Sequence, residues 1–122
     1  MAKILIVDDD RMVRRMLCMR LELAGYECAE AASGNAALER IAVEDVDLLL
    51  ADTRMPGMTG LELAKQVHEQ HPGVITVIMS GEHSPEERTA AIAAGAALWL
   101  PKPLPPNFEA TLTALLMRTD AD

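Results

Sequence analysis

Residues 4–10 read Ile4-Leu5-Ile6-Val7-Asp8-Asp9-Asp10, an unbroken apolar run that ends in adjacent aspartates. A short aliphatic run without polar alternation suits a strand buried on both faces, as in a parallel sheet. Adjacent carboxylates raise one another's cost of ionisation. Taken alone, they are a solvated loop that stops the strand; the rest of the chain decides whether they do more.

The apolar pattern recurs. Strand-like runs are KILIV (3–7), YECAEA (26–31), VDLLLA (46–51), VITVIM (74–79) and ALWL (97–100). Helical periodicity occupies about 11–24, 34–43, 60–70, 86–94 and 106–118. Strands alternating with helices predict an α/β domain built on a parallel sheet, and 122 residues fit one domain, 1–122, with its own core. The punctuation agrees: Gly25 and Gly95 stand where helices end, Ser33 can cap the second helix, and Pro85 with Glu86 and Glu87 opens the fourth. Phe108, Thr111, Leu112, Leu115 and Leu116 form a stripe that should lie on the sheet. Met12, Met16, Met19 and Leu23 form a similar stripe, and core packing is expected for them too.

Composition narrows the function. Half of the chain is hydrophobic, yet its aromatic residues are only Tyr26, Trp99 and Phe108, so the core is aliphatic. With 11 Lys and Arg against 19 Asp and Glu, the net charge of -8 repels phosphate backbones and argues against direct nucleic-acid binding; a cation or a protein partner fits better. Cys18 and Cys28 lack metal-ligand spacing and are expected as two reduced thiols rather than a disulfide. No signal peptide or membrane-length apolar segment is visible, so a cytoplasmic location is expected. His68, His71 and His83 show no ligand spacing and read as surface or rim residues.

In an open parallel sheet the ligand crevice lies beyond the carboxyl ends of the strands. Just past successive apolar runs come Asp8, Asp9 and Asp10, then Asp52, then Ser80, then Lys102. Each alone is an ordinary turn residue. Together on one edge they form an acidic site with one hydroxyl and one ammonium, and clustered carboxylates of this kind suit Mg²⁺. Such a set fits a transferring phosphoryl group, whose oxygens the cations neutralise while a carboxylate attacks in line.

These residues carry a resemblance. ILIVDDD, LLLADTRMPGMTGLEL, VIMSG and GAALWLPKP, in that order, resemble the successive motifs of bacterial response regulator receiver domains, from Lys3 to about Arg118. The resemblance implies a flavodoxin-like (βα)5 sandwich with strand order 2-1-3-4-5. It implies Asp52 as phosphoacceptor, Asp9 as a direct Mg²⁺ ligand, Asp8 as a ligand largely through water, and the Arg54 backbone carbonyl completing the protein ligands. Mn²⁺ is an alternative metal. Asp10 lies one past the acidic pair and reads as a helix N-terminal charge. Ser80 and Lys102 would each bind a phosphoryl oxygen, and the Lys102-Pro103 bond would be cis. Gly57 and Gly60 suit the tight loop after the acceptor.

Further positions border the site. Arg54 and Glu82 flank the path of attacking water and could pair above the phosphoryl group; two separate solvated side chains are the plainer reading. Trp99 occupies the place of the family's aromatic switch residue, usually Tyr or Phe. The implied protein is a signalling switch rather than a metabolic enzyme, although it assists its own phosphotransfer and autodephosphorylation. Its partners would be a sensor histidine kinase or phosphotransfer protein and a downstream protein or attached effector domain, with a homodimer through the helix 4, strand 5, helix 5 face as a further option. Two rivals stand beside it. Asp8 and Asp10 imitate the D-x-D of haloacid dehalogenase-type phosphatases, but Arg11-Met12 replaces the usual follow-on and the late acidic pair is missing. An interaction module that is never phosphorylated is the other.

Overall fold

In the computed structural model, which describes residues 2–82 and 84–120, strands and helices alternate without exception. The order is β1 (Lys3–Val7), α1 (Arg11–Leu23), β2 (Glu27–Ala31), α2 (Gly34–Val43), β3 (Leu48–Asp52), α3 (Gly60–Gln70), β4 (Ile75–Ser80), α4 (Pro85–Ala93), β5 (Leu98–Pro101) and α5 (Phe108–Asp120). The strands form one parallel sheet in the order β2-β1-β3-β4-β5, as expected. The expected elements are all found, with ends shifted by one or two residues. The shift that matters puts Asp52 inside β3, as its last residue.

Strand side chains alternate between two cores, because successive Cβ atoms point to opposite faces. Ile4, Ile6, Leu48, Leu50, Val77 and Met79 meet α1 and α5. Leu5, Val7, Leu49, Ala51 and Ile78 meet α2, α3 and α4. All of β3 is buried, since strands and helices cover it on every side. Local signals start the helices. The Asp10 carboxylate, read as a helix N-terminal charge, is the N-cap of α1 and accepts from the N–H groups of Met12 and Val13. Ser33 caps α2 through the Ala36 N–H.

Two expectations need correction. Met12, Met16, Met19 and Leu23 are not core residues: they are 81, 58, 63 and 88% exposed. Helix α1 has two apolar arcs, and Leu17, Cys18 and Leu21 occupy the one that faces the sheet. At 100° per residue the Met arc lies about 175° away, so both cannot be buried by one sheet. The exposed arc lines a groove of about 680 Å³ with Arg11, Arg15 and Arg20.

The second correction concerns the cysteines. Cys18 and Cys28 are joined in a disulfide, not held as separate thiols. The packing of α1 across β2 sets their Cα atoms 5.6 Å apart, within the range a disulfide spans. Spacing along the chain carries no sign of that proximity.

Candidate functional site

The carboxyl ends of β1, β3, β4 and β5 meet at one edge, and there the sequence's scattered polar residues converge. Single oxygens of Asp8, Asp9 and Asp52 all lie within 4.8 Å of one another, with Asp8 and Asp52 buried and Asp9 exposed. This donor set fits a hard dication: oxygen ligands on the protein side and an open side on which the ion keeps its waters. Neighbouring groups orient the buried carboxylates. Asp8 accepts from the Asp10 N–H at 2.9 Å through Oδ1 and from Lys102 Nζ at 3.0 Å through Oδ2. Lys102 Nζ also lies 3.4 Å from Asp52 Oδ2, so one ammonium spans both carboxylates.

Backbone geometry holds this lysine in place. Its N–H donates to the Ser80 carbonyl at 2.7 Å, tying the end of β5 to that of β4, and the Lys102-Pro103 peptide is cis, as the resemblance implied. On the opposite side, α3 presses against the end of β3. A Cβ on Gly60 would lie 2.1 Å from the Asp52 carbonyl oxygen, so no larger residue fits without moving the backbone. Gly57, in the same loop, has φ +81°, which side chains disfavour. The two glycines therefore serve the loop differently, one by conformation and one by close approach.

The electrostatics follow from this arrangement. Burial is the main cause that raises the Asp52 pKa; Lys102 holds it down, the Asp8 charge pushes it up, and hydrogen bonds from Lys102 and the Arg54 N–H lower it, leaving a net rise. Burial alone would lower the Lys102 pKa, but its hydrogen bond to Asp8 and the charges of Asp52 and Asp8 outweigh that and raise it. Charged Asp52 is thus the strained partner, and a cation placed among the three carboxylates relieves it.

Arg54 and Glu82, read as two flanking charges, form an ion pair. Both remain substantially exposed, and with Asp52, Gly81 and Lys102 they line a cleft of about 360 Å³. The roomier groove along α1 is apolar and lies on a helix face away from the carboxylates. Trp99 stands on β5, paired with Ile78, and borders a separate groove with Ser84, Pro85, Arg88 and Pro101. Its side chain packs partly against the core beneath α4. His68 is exposed and His71 caps the end of α3, away from the carboxylate cluster; His83 lies outside the described residues.

Ser80 is fully buried, and its hydroxyl has company that the sequence did not reveal. Thr53 Oγ1 donates to it at 3.3 Å and the Glu82 N–H at 3.1 Å, while Ser80 donates to the carboxylate of Glu87. Thr53 directly follows Asp52 and could have been suspected. Glu87 was read only as a helix-opening acid.

With this geometry established, the family model described as the response regulator receiver domain matches residues 4–113. The DNA-binding transcriptional regulator NtrC of Klebsiella pneumoniae is 41% identical over 80% of this chain and 21% of its own length. The response regulator MprA of Mycolicibacterium vanbaalenii is 37% identical over 98% of this chain and 52% of its own. The chain therefore spans between a fifth and a half of these curated relatives. Among solved structures, the CheY-like receiver domain protein of Methanospirillum hungatei superposes with a TM-score of 0.94 at 31% identity, covering 99% of this chain and 98% of that one. The chemotaxis response regulator CheY4 of Vibrio cholerae gives 0.86 at 36%, covering 95% and 98%.

Proposed function

The chain belongs to the response regulator receiver domain family, and from that premise we propose that Asp52 accepts a phosphoryl group from a phosphohistidine of a sensor kinase or phosphotransfer protein. The observation that carries the proposal is the shared lysine: Lys102 spans Asp8 and Asp52 beside a third carboxylate, which is the charge pattern phosphoryl transfer requires. The Asp52 carboxylate attacks phosphorus in line; a P–O bond forms as the P–N bond breaks, and the imidazole leaves. Lys102 and Ser80 bind the phosphoryl oxygens that emerge. Asp8, Asp9, Asp52 and the Arg54 carbonyl would hold Mg²⁺, or Mn²⁺ in its place. Bound there, the ion supplies charge neutralisation for the incoming group.

The role is a switch. The Arg54–Glu82 pair stands over the cleft through which water would reach the acyl phosphate, and it sets how long the signal lasts. Membership of this family leaves no support for the haloacid dehalogenase-type hydrolase. The intact acceptor cluster speaks against a module that is never phosphorylated. The donor would dock on the exposed α1 arc, which starts beside Asp10 at the site and whose flanking arginines favour carboxylates on the donor's face. The output partner, whether an attached effector or another copy of the chain, would use the α4-β5-α5 face that contains Trp99.

Intact-mass analysis with acetyl phosphate tests the reading directly. An adduct of about 80 Da, one phosphoryl group, is expected with Mg²⁺ on the parent and absent from Asp52→Asn. The same adduct on Asp52→Asn, formed without metal, would sink the assignment.

A further inference from the structure

Helices α3 and α4 begin with the same local pattern, a hydroxyl residue followed three positions later by glutamate: Thr59 to Glu62, and Ser84 to Glu87. In a capping box the hydroxyl accepts from the glutamate's N–H and the glutamate reaches back to the hydroxyl residue's own N–H. At α3 both halves are present, with Glu62 N to Thr59 Oγ1 at 3.2 Å and Thr59 N to Glu62 Oε1 at 3.0 Å. At α4 the first half is present, Glu87 N to Ser84 Oγ at 3.1 Å. The Glu87 carboxylate, however, turns the other way and accepts the hydroxyl proton of Ser80.

Ser80 is 0% exposed, so water cannot replace that partner. A serine hydroxyl has a single proton to donate. With the Thr53 hydroxyl and the Glu82 N–H directed at its oxygen, the hydroxyl has one proton for the Glu87 carboxylate and, at 3.3 Å, the Glu82 carbonyl, and it can serve a new acceptor only by turning that proton away from them.

On the reading of Asp52 as phosphoacceptor, we propose that Glu87 is a latch on Ser80. In the resting domain Glu87 takes the proton that a phosphoryl oxygen needs. Phosphorylation transfers that hydrogen bond to the phosphoryl group and frees Glu87, which then closes the capping box of α4 on the Ser84 N–H. The latch links the chemistry at Asp52 to the first turn of α4 through one side chain. Glu87 acts through Ser80 and is a positioning residue.

Affinity for beryllofluoride with saturating Mg²⁺, an acyl-phosphate mimic, tests this in five proteins: parent, Glu87→Ala, Glu87→Gln, Ser80→Ala and the double variant Glu87→Ala with Ser80→Ala. Releasing a charge-assisted hydrogen bond should tighten binding about five- to tenfold in Glu87→Ala. Glu87→Gln, which keeps a weaker acceptor, should fall between it and the parent. In the Ser80→Ala background the Glu87→Ala gain should vanish, because the latch has nothing to hold. An equal gain in that background would show that Glu87 acts only as a nearby negative charge and would overturn the latch. Binding by the parent with no gain in Glu87→Ala would overturn it as well. Failure of the parent to bind the mimic at all would overturn the phosphoacceptor reading, and the latch with it.

Discussion

Helices α1 and α5 lie on the same face of the sheet, and each carries an apolar stripe at helical spacing, yet the stripes meet opposite fates. Phe108, Leu112 and Leu116 of α5 are buried. Met12, Met16, Met19 and Leu23 of α1 look outward, because Leu17, Cys18 and Leu21 already fill the inner arc. Periodicity alone shows that a face is apolar, and only competition with the opposite face shows whether it is covered. The helices are joined at their margin by Arg20, which is hydrogen-bonded to Glu109 at 3.0 Å and to the Pro106 carbonyl at 2.8 Å, with its guanidinium 4.6 Å from the centre of the Phe108 ring.

Substitutions along the two helices can break this contrast, and the largest effect is expected at Phe108. Its removal in Phe108→Ala should lower unfolding stability by about 4 kcal/mol, the sum of lost transfer energy and a cavity the sheet cannot close. A loss below about 1 kcal/mol in denaturant melts would mean that the α5 stripe is no more committed to the core than the α1 stripe.

The inner arc of α1 comes next. Its disulfide closes a short loop, with a sequence separation of 10, to β2. Replacing both cysteines by alanine should cost about 3 kcal/mol by the loop-entropy relation. Identical stability of the parent with and without reductant would show that packing alone seats α1.

Between the stripes, Arg20→Ala should cost about 1 kcal/mol, a modest figure because its pair with Glu109 is partly exposed and solvent screens it. The smallest effect belongs to the exposed arc. Met16→Gln with Met19→Gln should shift stability by less than about 0.5 kcal/mol, as surface changes do. Phosphorylation by acetyl phosphate should stay unchanged while transfer from a phosphohistidine donor protein slows. A large stability loss in this pair would erase the contrast between the helices.

Much of the molecule was legible before any coordinates. Strand β1 announces itself through Ile4 to Val7, and the rule that crevices lie beyond strand ends singles out Asp8, Asp9, Asp52 and Lys102 for inspection; the structure brings them together. The sequence offered the Arg54–Glu82 pair and two separate solvated side chains as alternatives, and the structure selects the pair, since its contact depends on two loops meeting. Glu87 was hidden by its own ambiguity. Its Ser-x-x-Glu setting describes a helix start equally well whether the carboxylate closes the cap or leaves it, and Ser80 competes for it only because β4 ends beside the first turn of α4.

The order of elements, the parallel sheet and the edge where polar residues collect were determined by the sequence itself, because apolar periods, caps and turn residues act over a few neighbouring positions. Which arc of α1 is buried, whether Cys18 finds Cys28, and where Glu87 sends its carboxylate were decided by the tertiary structure alone. Each is a competition between partners distant in the chain or equally available to it, and close packing of the whole chooses among them.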